Sequence, residues 1–286
     1  FATKKEAEAQ VQEDIQITEK IMHQKFGIPF LPMKRPDWDR FAGAEYTIGS
    51  DVFMPDGKLI QQPSTHMMGQ KFSKVFNAKF KNEQGKENYL WTTAYGPAMS
   101  RILVSVISMH GDDKGLVLPF SIAPLKAVII PIYTSKNKEK VLKYSRETEK
   151  KLNALGLNSE IDLSDKRPGE KYHSWELKGV PFRLEIGEKE TKNKNFILFT
   201  RDTGKKETLK DLRKLKKLGE EYDKRLREKA ENSTKGKIIN CKTKEQVKKA
   251  MKDEKIARVN WCHTDEKGVK CAEYIEKQTN AEVRGT

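Results

Sequence analysis

Residues 167–187 read RPGEKYHSWELKGVPFRLEIG. About 168–178 reads as a helix, and VPFRLEIG after it reads as a strand. A second strand, NFILFTR, follows at 195–201. Upstream, KAVIIPI at 126–132 is a short continuous apolar run of the kind buried inside a sheet. Between these lie a charged helix over about 137–155, ended by Gly156, and a short strand near 158–162. Strands alternating with helices indicate an open α/β domain with a mixed or mostly parallel sheet. Two basic amphipathic helices are expected beyond it, at about 208–231 and 243–252.

Working back toward the start, the pattern changes. Thr3 and Glu6 form a T-x-x-E capping box, and Ala7, Val11, Ile15, Ile21 and Met22 continue one apolar face to about Lys25. Gly27 and Pro29 close that helix. Strand, turn and strand span Tyr46 to Ile60 around Pro55-Asp56-Gly57. His66–Phe76 is expected as a short helix, 88–95 (NYLWTTAY) as a strand, and Ala98–His110 as a helix. The boundary with the α/β domain falls near Pro119–Pro124.

The chain has 286 residues, enough for two or three domains. No apolar run approaches the roughly 18–20 residues that span a bilayer, which excludes a transmembrane chain. FATKKEAEAQ at the start has no apolar core of a secretory signal and no initiator Met. Three cysteines are too few for a disulfide scaffold and fit a reducing, cytoplasmic setting. The net charge of +15 is uneven: +1 over 1–124, +5 over 125–202, +10 over 203–258 and −1 over 259–286. That asymmetry points to a polyanion, nucleic acid first, as partner of the later part.

Three stretches carry a family resemblance. They are 40–76, RFAGAEYTIGSDVFMPDGKLIQQPSTHMMGQKFSKVF; 93–119, TAYGPAMSRILVSVISMHGDDKGLVLP; and the opening stretch at 167–187. In this order and spacing they resemble the prolyl-tRNA synthetases of the archaeal/eukaryotic type, which are class II aminoacyl-tRNA synthetases. The resemblance implies an α+β antiparallel catalytic domain, C-terminal part, over 1–122. It implies an α/β anticodon-binding domain over 123–231 and a small α/β, zinc-binding-like C-terminal domain, incomplete, over 232–286. It also implies that the first two class II signatures lie upstream of Phe1, so that this piece alone lacks half an active site.

In that family the first stretch touches proline and ATP. By position, Phe41 is an apolar wall for the proline ring, His66 stands by the proline site, and Gln61 and Ser64 touch ATP or its metal. The family usually has T-S-H where this chain has Ser64-Thr65-His66. Arg101 resembles the arginine of the third class II signature, which lies against adenine and the phosphates, a role suited to a planar guanidinium that keeps its charge. Four residues separate Gly96 from Arg101 where the family has three, and Met99 stands where a Thr is common. Asp112 and Asp113 are read as a capped turn and not as an acid/base pair, because a proline carboxylate is already ionised when it attacks ATP.

The resemblance further assigns Glu185 and Lys206 to anticodon bases, with Tyr172, His173 and Trp175 offering rings and Trp175 read as core. Cys262 and Cys271, with eight residues between them in WCHTDEKGVKCAEYIEKQTNAEVRG, resemble the first cysteine pair of the family's zinc tail, a half-site for structural Zn2+. The implied function is proline–tRNA ligation, with ATP and Mg2+ as cofactors. The implied partners are proline, tRNA(Pro) and a second copy when full length, with no membrane. Two alternatives stay open: another class II synthetase of threonyl or glycyl type, and a non-catalytic tRNA-binding relative.

Overall fold

The computed structural model describes residues 1–286. It divides into two compact units, one formed by 1–24, 28–105 and 231–286, the other by 25–27 and 106–230.

The first unit is built on a four-stranded antiparallel sheet in the order β1 (Leu31–Lys34), β2 (Tyr46–Phe53), β3 (Leu59–Gly69), β6 (Thr92–Gly96), with β4 (Lys79–Lys81) and β5 (Glu87–Tyr89) forming a separate ribbon. Helix α1 (Lys4–Thr18) starts on the Thr3–Glu6 capping box and continues as a π-helix over Glu19–Lys25. Its Ala7 and Val11 bury against Met67 of β3. On the same face, Asp14 accepts the Thr65 hydroxyl at 2.7 Å.

The expected helix at His66–Phe76 is corrected. β3 runs on to Gly69, and helix α2 covers only Lys71–Val75. Central pairing explains this: Ser64 to Met67 are bonded to β2 on one side and β6 on the other, which outweighs local helix preference. Gly69, at φ +65°, turns the chain out of the sheet. The expected single strand at 88–95 is two, β5 and β6, divided at Leu90–Trp91. Helix α3 (Met99–His110) follows as expected.

The second unit holds a five-stranded mixed sheet in the order β11 (Lys206–Leu209), β10 (Phe196–Thr200), β9 (Phe182–Ile186), β7 (Ala127–Pro131), β8 (Ser159–Ile161). β7 is parallel to β8 and β9, while β9–β10–β11 are antiparallel. Helices α4 (Lys138–Ala154), α5 (Pro168–Leu177), α6 (Glu188–Asn193) and α7 (Lys214–Thr234) accompany the sheet. Ile129, Leu152, Leu184, Leu198, Leu215 and Tyr222 form one core, each apolar side chain worth about 1.5–3 kcal/mol on burial. The helix expected from 208 begins later, because Leu209 pairs with Phe196 and is buried at the sheet edge.

Residues 106–122 join this second unit and not the first. Val117 and Phe120 belong to its core, and Arg201 forks onto Asp112. The last segment, from residue 231, groups with the first unit. It contributes a parallel pair, β12 (Ile238–Asn240) with β13 (Ile256–Arg258), and helices α8 (Lys244–Lys252) and α9 (Val269–Thr279) around Cys241, Val247 and Ala250. Thr286 exchanges both backbone hydrogen bonds with Lys34, at 2.9 and 3.1 Å, and so extends β1's edge.

Candidate functional site

Register decides which side chains share a face of the first sheet. Thr47 pairs with His66 and Gly49 with Ser64, but Asp51 pairs with Gln61. β3 therefore carries one extra residue between Gln61 and Ser64. Strict alternation would put Gln61 and Ser64 on opposite faces. The bulge returns Gln61 to the face of Thr47, Gly49 and Asp51, where its Oε1 accepts from Arg35 Nη2 at 3.0 Å.

His66 is buried on this face. Its Nδ1 is 2.9 Å from the Thr47 hydroxyl and its Nε2 is 3.1 Å from the Ser64 hydroxyl. Thr47 Oγ1 also accepts the Phe41 amide at 2.9 Å. Phe41's ring lies 4.7 Å from the imidazole and stays half exposed. Burial lowers the His66 pKa, so at neutral pH the ring is uncharged with one N–H and one lone pair, and both are engaged. Such a ring is a fixed polar wall with Phe41 as its apolar flank.

Arg101 stands in the first turn of α3 and donates through Nη1 to the Gln61 carbonyl at 2.9 Å, with its side chain toward solvent. Ala98, just ahead of α3, has φ +52°, a backbone conformation costly for a residue with a Cβ. Gln61, Ser64, His66 and Phe41 thus lie along one sheet face, with Arg101 at Gln61's backbone. Beneath Gln61 sits a buried cluster that sequence reasoning missed. Arg35 forks onto Asp51 at 2.8 and 2.6 Å, and Arg284 Nε reaches Asp51 at 3.2 Å. A cavity of about 1370 Å³ in this unit is lined by groups such as Leu31, Phe53, Met251 and Val283, with Arg284 among its walls.

In the second unit the two expected base-reading residues meet. Glu185 is buried on β9, and Lys206 reaches it from β11. Arg183 Nε donates to Glu185 at 3.1 Å, and its guanidinium lies between Tyr172 and Phe199, 4.0 and 3.9 Å from their ring centres. Burial, with Glu185 adding to it, pushes the Tyr172 hydroxyl up to about 12. Lys206 is half exposed beside the same ring. Trp175 is core, as expected: it packs on Val128 and Ile130 and donates Nε1 to Asp162 at 2.7 Å. His173 is exposed. Asp112 caps the Lys114 amide and forks to Arg201, in keeping with a turn.

The zinc expectation does not fit these residues. Cys262 and Cys271 are free and exposed, and His263 lies 3.9 Å from Asp265. No group of three or more His, Cys, Asp or Glu converges anywhere, whereas a structural zinc cage needs four donors. The same finding gives Mg2+ no carboxylate cage. The amide, hydroxyl and guanidinium groups of Gln61, Ser64 and Arg101 do suit phosphate oxygens.

Residues 126–221 match the anticodon binding domain family. The whole chain is 39% identical over 292 residues to the proline–tRNA ligase of Thermofilum pendens, covering 60% of it. It is 41% identical over 291 residues to that of Methanococcoides burtonii, covering 58%. Prolyl-tRNA synthetase from Giardia lamblia, solved with prolyl-adenylate, superposes with a TM-score of 0.92 at 31% identity, over 99% of this chain and 62% of that one. The Cryptosporidium parvum structure with L-proline and AMP gives 0.90 at 32%, over 98% and 60%. The chain therefore spans about 60% of the length of the relatives it matches. The antiparallel α+β unit thus stands in one chain with a segment that matches the anticodon binding domain family. Over its whole length the chain is similar to part of the prolyl-tRNA synthetases. No helix is long and apolar enough to cross a membrane.

Proposed function

We propose that this chain forms part of a proline–tRNA ligase, which activates proline with ATP and passes it to tRNA(Pro). What carries this is the alignment of Gln61, Ser64 and His66 on one face, with Arg101 at Gln61's carbonyl, in a chain whose whole-length relatives are proline–tRNA ligases. Phe41 and His66 wall the proline ring, while Gln61, Ser64 and Arg101 hold ATP. The proline carboxylate attacks the α-phosphate, a bond forms between them, and pyrophosphate leaves with the electron pair of the broken P–O bond. No side chain has to move a proton in that step. The rate comes from positioning and from donors and a guanidinium set against developing phosphate charge. Mg2+, bound with the nucleotide, would neutralise phosphate charge. Glu185 and Lys206 read anticodon bases while the basic surface holds the backbone. A homodimer and a cytoplasmic setting complete the proposal, the first on the family resemblance and the second on three unpaired thiols.

The test is ATP–pyrophosphate exchange. Exchange that depends on proline and not on threonine or glycine supports the proposal. No amino-acid-dependent exchange by the full-length protein would favour the non-catalytic relative.

A further inference from the structure

The end of the chain reaches the floor of this face. Arg284 Nε donates to Asp51 Oδ2 at 3.2 Å, and its backbone oxygen accepts from Arg35 Nη1 at 2.8 Å. Asp51 is fully buried and Arg35 is 3% exposed. Arg35 passes the contact on, since Nη2 binds Asp51 at 2.6 Å and Gln61 Oε1 at 3.0 Å. Its guanidinium lies flat over Gly49, where any Cβ would collide with it. A guanidinium has donors only, so Gln61 must turn its amide oxygen to Arg35. That leaves the two N–H donors of Gln61 for a ligand. Three acids answer the two guanidiniums: Asp51, buried between them, Asp39 3.6 Å from Arg35 Nε, and the exposed Glu282 2.8 Å from Arg284 Nη1.

We propose that Arg284 is a positioning residue for the nucleotide subsite. Through Asp51 and Arg35 it holds Gln61's amide in the orientation that donates to ATP, and so couples docking of the last segment to ATP affinity. This rests on Gln61 as an ATP contact. Without Arg284, Asp51 loses one of its two cations, Arg35 is held less firmly, and Gln61 can flip or swing.

The experiment is a double-mutant cycle in ATP–pyrophosphate exchange by the full-length enzyme, using Arg284→Ala, Gln61→Ala and the pair, with melting temperatures alongside. Arg284→Ala should raise the KM for ATP on the order of 5–10-fold, within the usual range of coupling between sites, with kcat and the KM for proline within about twofold. In the Gln61→Ala background the same change should have almost no further effect. Arg284→Lys, which keeps the charge without the fork, should fall between, and it replaces the alanine variant if that one does not fold. A Gln61→Ala enzyme with normal KM for ATP overturns the nucleotide assignment of Gln61 and the inference with it. An altered KM in Gln61→Ala, with Arg284→Ala either silent, additive, or lowering only kcat and melting temperature, overturns the inference alone.

Discussion

Glu185 and Lys206 stand 21 residues apart in sequence and form one ion pair, Lys206 Nζ lying 2.8 and 2.9 Å from the two carboxylate oxygens. Arg183 binds the same carboxylate. Lys206 and Arg183 thus hold both Glu185 oxygens, and a base that binds this carboxylate competes with Lys206 for it. Lys206→Ala should cost about 1–3 kcal/mol in binding of cognate tRNA and blunt discrimination at one anticodon base. Filter binding of cognate and non-cognate tRNA measures both. Equal loss for every RNA would reduce Lys206 to a phosphate contact.

Binding of tRNA should weaken steeply with salt. Residues 125–258 carry a net +15, equal to that of the whole chain, and each neutralised phosphate releases counterions. Lys217, exposed and only loosely paired with Glu221 at 3.9 Å, should contribute to this slope without reading sequence. Lys217→Ala should lower the log–log salt slope by about one if it meets a phosphate and weaken all RNAs alike. A salt series on the whole protein gives the slope.

Thr47 should matter to proline and not to ATP. Its buried hydroxyl joins the Phe41 amide to the His66 ring. Thr47→Val keeps the shape and leaves the buried His66 Nδ1 and the partly buried Phe41 amide short of a partner, at about 1–3 kcal/mol for the buried one. The KM for proline should rise several-fold while the KM for ATP holds, and the urea midpoint should drop. An equal rise in both would detach Thr47 and His66 from the proline subsite.

Acid should destabilise the fold in two steps. Burial lowers the pKa values of His66 and His110, the latter against the opposing hydrogen bond to the Phe26 carbonyl. Both stay neutral in the fold while the unfolded chain takes up protons below about 6.5, so stability declines as pH falls from there. Arg201's hydrogen bonds hold Asp112 at about 2, below its ordinary 3.8. That contribution is complete above 3.8 and is lost as pH falls toward 2. Denaturant midpoints against pH would show both slopes, and Asp112→Asn should flatten only the more acidic one.

Much of this was legible because it is local. The capping box at Thr3 and Glu6, the apolar run at 126–132, and the Pro-Asp-Gly turn each act within a few residues. What escaped is non-local. His66 looked helical because central-strand pairing is invisible along the chain. Gln61 and Ser64 share a face only through a bulge that no alternation pattern announces. Arg35, Asp51 and Arg284 come together across as many as 249 positions, so neither charge counts nor motif spacing could connect them. The last segment's place within the first unit depends likewise on long-range pairing at Lys34.

Charging of tRNA(Pro) by the full-length protein tests the central claim most directly. Radiolabelled proline, threonine and glycine would be offered in turn with ATP and Mg2+, and acid-precipitable tRNA counted. Proline alone should be joined to tRNA, and the Arg101→Ala protein should lose the signal while still binding tRNA. Attachment of threonine or glycine in preference to proline, or tRNA binding with no attachment of any of the three, would contradict it.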